Sequence, residues 1–146
     1  VYAAELAGKL GLGERVMFRD RIDNSELAQE YCRAGMMVVP SLFEGFGLPA
    51  LEAMASGTPL ICSRAGALPE VVGEEGAVLV PPGDSRAIQR AALELEADPD
   101  RRRRLSEAGL KRAAALFSWE RAAEQVEQVY WRAVKSRGRS QSRSGA

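Results

Sequence analysis

Two glutamates flank a glycine-rich run: Glu44, then Gly45-Phe46-Gly47-Leu48-Pro49, then Ala50-Leu51-Glu52. Carboxylates accept hydrogen bonds and donate none, and a hydroxyl-rich ligand offers donors that need acceptors. Between the two acidic positions, Gly45 and Gly47 let the backbone approach a ligand without an intervening side chain. Pro49 suits the first turn of a helix, whose unpaired N–H groups and positive dipole end seat phosphate. Two acceptors bracketing an anion seat fit a phosphate-bridged ligand with hydroxyls at both ends, which is the chemistry of a sugar nucleotide. Read singly, Glu44 is a solvated loop residue and Glu52 pairs locally; only the joint pattern makes a site. Glu52 stands out because Leu48, Leu51, Ala53, Met54 and Ala55 are apolar, and a carboxylate on such a helix is costly to bury without a partner.

For that seat to exist, a strand must deliver the loop and a helix must start behind it. Met36 to Val39 reads as a buried strand, Ser41 to Gly47 as the loop, and a helix then runs until Gly57 stops it. Upstream, Tyr2 to Leu10 reads as a helix closed by Gly11 and Gly13, and Arg15 to Phe18 as a short strand. Asp23 caps the next helix with Glu26 reaching back, and Leu27, Tyr31 and Ala34 form its apolar stripe. Downstream come a strand over Pro59 to Cys62, a helical piece over Leu68 to Val72, and a strand over Ala77 to Val80. Three helices finish the chain, capped by Asp84, Asp98 and Ser118. The alternation predicts an α/β fold, a Rossmann-like parallel sheet with helices on both faces and a helical C-terminal end. In such sheets ligands bind at the carboxyl ends of strands, which is where this loop lies.

Composition removes whole classes of function. The 146 residues suffice for one domain with a core, and the 20 basic and 20 acidic residues cancel, so no net field favours nucleic acid. With no histidine in the chain, His-based acid–base chemistry, serine triads and nearly all zinc and haem sites drop out, and no metal is expected. Cys32 and Cys62 lack metal-ligand spacing and read as small buried residues in a reducing compartment. No apolar run is long enough to span a bilayer. Residues 136–146 are Ser, Arg and Gly with little else, a composition expected to stay disordered. The basic residues from Arg132 to Arg143 would allow peripheral contact with anionic lipid or RNA, although a solvated tail is the commoner origin of such a run.

The run from Glu44 to Pro59 resembles the EGFGLPxxEAMAxGxP signature of retaining GT-B glycosyltransferases of family 4. Gly66-Ala67-Leu68-Pro69-Glu70-Val71-Val72 is similar to that family's GGxPEvv segment, Gly76 to Val80 to its GxLv strand, and Phe117-Ser118-Trp119 to its FSW element. The resemblance covers about residues 1–135 and implies the C-terminal, donor-binding half of a GT-B enzyme. It implies that Glu44 contacts the donor sugar as the catalytic position. Gly45, Phe46, Gly47 and Leu48 would line the sugar and diphosphate, Glu52 would bind the ribose, and Arg21 and Ile22 would border the nucleobase. Asp20 stands where the family usually has glycine. The implied substrate is a nucleotide-diphosphate sugar, with no cofactor and a cytoplasmic setting, in some cases at the inner face of the membrane. The family's cationic Arg and Lys loop and its N-terminal acceptor-binding domain have no counterpart in these residues. The chain is therefore expected to be truncated on its N-terminal side and inactive alone.

Two other readings compete. Gly45-Phe46-Gly47-Leu48-Pro49-Ala50 formally fits the G-x-G-x-x-A of a dinucleotide-binding oxidoreductase. Against it, four residues separate Pro40 from Gly45, and Ser63 and Arg64 stand where an acidic ribose ligand is wanted. The other is a non-catalytic nucleotide-sugar binding module.

Overall fold

A computed structural model of the chain describes residues 2–141, with side chains described to residue 135. The chain divides into two compact units, Val1–Glu30 and Tyr31–Ala146.

In the first unit, helix α1 (Tyr2–Lys9) ends where the sequence punctuates it: Gly11 takes φ 67°, and the Leu12 N–H donates to the Ala7 carbonyl at 2.9 Å. The strand expected over Arg15 to Phe18 does not form. A single 3-10 turn covers Gly13–Arg15; Val16 is extended, and Val16, Met17 and Phe18 are unpaired and exposed. An apolar run is a strand only where a neighbour supplies the ladder, and none of the described strands pairs with it. Helix α2 (Asn24–Arg33) is capped by Asp23, whose Oδ1 accepts from the Glu26 N–H at 2.8 Å. The Glu26 carboxylate turns instead to Arg19, at 3.1 Å.

The second unit holds the sheet. Strands β1 (Met37–Val39), β2 (Leu60–Ser63) and β3 (Val78–Val80) are all parallel, in the order β1-β2-β3, with Val38 opposite Ile61 and Cys62 opposite Leu79. Central β2 is buried throughout, as a strand covered on both faces must be. The β1 strand was expected to be buried. It is an edge strand of this sheet, with Val39 buried and Val38 exposed.

Helices α3 (Leu48–Ala55) and α4 (Leu68–Val72) make the two crossovers between parallel strands. Helix α5 (Ser85–Ala97) packs Ala87, Ala91 and Leu95 against Ile61 and Val80 on one face. Strand alternation turns Leu60 and Cys62 to the other face, where α3 lies. Helix α6 (Pro99–Leu116) crosses α3 closely: a Cβ on Gly109 would sit 3.4 Å from the Met54 Cγ, and Ser106 donates its hydroxyl to the Gly57 carbonyl. Asp84, Asp98 and Ser118 cap the last three helices as their residue types predict, the last being α7 (Trp119–Gln141). Of the tail expected at 136–146, residues 142–146 lie outside the described residues, while α7 continues to Gln141.

The cysteines part company. Cys62 lies in β2, and burial pushes its thiol up to about 12, against a smaller opposing pull from Arg64. Cys32 is exposed, contrary to expectation. On α2 it follows Tyr31 by one residue, a rotation of about 100°, which carries it off the stripe of Leu27, Tyr31 and Ala34.

Candidate functional site

Residues 40–47 leave the carboxyl end of β1 and turn into α3. Glu44, half-buried in this loop, accepts from the Ser41 hydroxyl at Oε2, 3.2 Å away. Its backbone is held from the other crossover: the Ala67 N–H donates to the Glu44 carbonyl at 3.0 Å. Gly66, at φ 52°, lies so close that a Cβ there would collide with the Glu44 carbonyl oxygen. The loop before α4 thus fixes the height of Glu44 above the sheet.

Gly47 caps α3 in the left-handed region, φ 94°, and its carbonyl accepts from the Ala50 and Leu51 N–H groups. A Cβ on it would lie 2.7 Å from the Leu68 Cδ2. No side chain caps this helix end, and Pro49 brings no N–H to its first turn. The leading amides are left for water or an anion, with the dipole's positive end behind them. Gly45, by contrast, has nothing within 4 Å of a Cβ position and stands in open space. The two glycines therefore differ in kind. Gly47 is required by the fold, and nothing within 4 Å requires a glycine at 45.

Phe46 and Leu48 are both exposed beside this helix start. The Phe46 ring meets Phe117 edge-on, with centroids 6.1 Å apart at 84°. That contact ties the loop to the segment joining α6 and α7.

Glu52 sits in the second turn of α3 with its side chain exposed. One oxygen, Oε2, accepts from the Tyr31 hydroxyl at 3.0 Å. Burial, reinforced by the hydrogen bond to Glu52 and by its charge, pushes the Tyr31 phenol up to about 12. Tyr31 was read from the sequence only as a core position of α2. The missed signal is its residue type, since a buried tyrosine seeks a partner for its O–H where leucine would need none.

Arg21 and Ile22 belong to the first unit. Arg21 is exposed at φ 55°, the one described non-glycine residue with a left-handed backbone, and Ile22 is half-buried. Such a backbone is uncommon for a residue bearing a Cβ. Asp20, where the family pattern has glycine, directly precedes the left-handed residue rather than being it.

The spacing argues against the dinucleotide fingerprint. Eight residues, 40–47, separate β1 from α3, too many for the tight turn that pattern requires. Arg64, beyond the end of β2, pairs with Glu74 at 3.2 Å. Among the described residues no group of three or more His, Cys, Asp and Glu is placed to hold a metal, and no helix is long and apolar enough to cross a membrane.

The model of the family described as glycosyl transferases group 1 matches residues 2–112. The chain belongs to that family. Among curated relatives, this group 1 chain is 44% identical over 132 residues to the MMP alpha-(1->4)-mannosyltransferase of Mycolicibacterium hassiacum, covering 89% of the chain and 32% of that protein. It is 38% identical over 143 residues to the D-inositol 3-phosphate glycosyltransferase of Streptomyces bingchenggensis, covering 97% and 31%. It therefore spans about a third of the length of the curated relatives it matches. Among solved structures, sucrose-phosphate synthase from Thermosynechococcus elongatus superposes with a TM-score of 0.83 at 43% identity, over 92% of this chain and 34% of that one. The C-terminal domain of a group 1 family protein from Francisella tularensis gives 0.73 at 32% identity, over 81% and 62%. The group 1 chain accordingly has the fold of a GT-B C-terminal domain, a parallel α/β sheet with a helical end.

Proposed function

We propose that this chain is the donor-binding part of a retaining glycosyltransferase that moves a sugar from a nucleoside diphosphate to an acceptor. The observation that carries the reading is the uncapped start of α3, held between Glu44 on one side and Glu52 on the other, in a chain of this family. In this reading the diphosphate sits against the amides of Gly45 to Leu48. Glu44 orients the sugar and stabilises the positive charge that builds on its ring, while Glu52 holds the ribose hydroxyls. Arg21 and Ile22 border the nucleobase.

Transfer proceeds on the face from which the nucleoside diphosphate departs, so that the anomeric configuration is retained. The departing phosphate itself takes up the acceptor proton, and the scheme asks for no protein nucleophile, no metal and no histidine; the chain contains no histidine. In this reading the acceptor is held by a further, N-terminal domain, and the cations that neutralise the diphosphate come from an Arg and Lys loop of the donor domain outside these residues. A nucleotide-sugar substrate and two free cysteines fit a cytoplasmic setting, and the basic residues from Arg132 to Arg143 suit contact with an anionic membrane face.

The test is donor profiling of the full-length protein with UDP-, GDP- and ADP-sugars, followed by NMR assignment of the product anomer. Turnover of at least one donor with retention is expected. Binding of NADH or NADPH with none of the sugar nucleotides would overturn the reading, and an inverted product would remove retention.

A further inference from the structure

Tyr31 is joined to α3 and the turn after it at two points. Its side chain is packed away, with the residue only 8% exposed, yet its hydroxyl reaches Glu52 Oε2 at 3.0 Å. Its backbone is held as well: Thr58, 4% exposed, donates its hydroxyl to the Tyr31 carbonyl at 2.6 Å. Thr58 is itself fixed to the end of α3, since its N–H donates to the Ala53 carbonyl at 2.9 Å. The phenol is thus held at two points, and its raised pKa keeps the proton on it well beyond the neutral range.

Glu52 has no comparable mount. It lies on the exposed side of its helix, where a glutamate with three rotatable bonds samples several rotamers. A hydrogen bond from the phenol of a buried residue to one carboxylate oxygen selects among them. It also divides the two oxygens: Oε2 is committed to Tyr31, and Oε1 has no hydrogen-bond partner among the described residues. A buried tyrosine needs a partner for its hydroxyl, and the partner here is the one carboxylate of α3.

We propose that Tyr31 is the positioning residue of the nucleotide subsite, its hydroxyl holding Glu52 Oε2 so that Oε1 is presented to the ribose diol. This rests on the assignment of Glu52 to the ribose made above. Tyr31 touches no substrate; it acts through Glu52 by lowering the rotamer entropy that binding would otherwise have to remove.

The experiment measures, in the full-length protein, the affinity for whichever of UDP, GDP and ADP the wild type binds, and for the 2′-deoxy and 3′-deoxy forms of that nucleotide. The wild type prefers the ribonucleotide, and Glu52→Ala abolishes the preference. Tyr31→Phe should weaken ribonucleotide binding by about tenfold, the worth of one hydrogen bond, while deoxynucleotide binding stays near wild type. In the Glu52→Ala background Tyr31→Phe should add nothing. Thr58→Val, which frees the Tyr31 carbonyl and leaves the phenol, should lower the same preference by less, and it serves if Tyr31→Phe fails to fold. If Glu52→Ala keeps the wild-type preference, or no nucleotide binds, the ribose assignment fails and the proposal with it. If Glu52→Ala loses the preference while Tyr31→Phe and Thr58→Val keep it, Tyr31 is a structural strut and only the present inference is overturned.

Discussion

Gly66 touches the backbone of Glu44 so closely that no side chain fits between them: a Cβ there would press on the carbonyl oxygen of Glu44, which already accepts from the Ala67 N–H at 3.0 Å. The glutamate assigned to the sugar is therefore set in place by the loop of the neighbouring crossover as much as by its own. Gly66→Ala adds both that collision and a left-handed alanine, φ 52°, a strain of about 1–3 kcal/mol. The expected outcome in the full-length protein is a lower thermal midpoint and a fall in turnover larger than the loss of nucleoside diphosphate affinity. Steady-state kinetics alongside calorimetric titration check it.

Gly47 and Gly45 should separate cleanly in stability. Gly47→Ala forces a Cβ to 2.7 Å from the Leu68 Cδ2 at φ 94°, with an expected cost of about 1–3 kcal/mol. Gly45→Ala meets nothing within 4 Å and should stay within about 0.5 kcal/mol of wild type. Urea unfolding at constant m measures both. On the proposed reading, Gly45→Ala should still weaken donor binding, because its methyl group enters the space a diphosphate would occupy.

Much of this was legible in the sequence, and the exceptions share a cause. Turn glycines, proline placement and the caps at Asp23, Asp84, Asp98 and Ser118 are local signals, and the structure honours each. The stretch Val16 to Phe18 looked like a strand by composition, but strand identity depends on a partner elsewhere in the chain. Cys32 is exposed because its angular position on α2, one residue past Tyr31, decides its burial rather than its residue type. In the sequence Gly66 is one position of a motif, and its contact with Glu44 exists only in the fold. Glu52 was expected to seek a partner, and its phenol partner lies on a different helix.

Arg112 should be a stability determinant with a reach into the site. Its guanidinium donates through Nε to the Val71 carbonyl at 2.8 Å and through Nη2 to the Glu70 carbonyl at 2.7 Å, capping the end of α4. Arg112→Ala should lower stability by about 2 kcal/mol, and Arg112→Lys should recover little because it lacks the two-pronged donor geometry. Chemical denaturation of the three proteins decides this.

Stability should decline at alkaline pH. Tyr31 and Cys62 are both raised to about 12, from ordinary values of 10.0 and 9.0. The unfolded chain gives up these protons first. Stability is therefore full below about pH 9 and is lost as pH rises through the interval toward the folded values. Thermal midpoints measured across that interval should fall, and Cys62→Ala should flatten the earlier part of the fall.

The most direct test of the donor-site reading is the division of labour between the two glutamates in the full-length protein. Glu44→Ala should lower turnover by about a hundredfold or more, as loss of a transition-state interaction does, while leaving nucleoside diphosphate affinity within a few-fold. Glu52→Ala should chiefly weaken the nucleoside diphosphate, by about tenfold or more. Turnover and nucleoside diphosphate affinity both at wild-type levels in the two variants would contradict the reading.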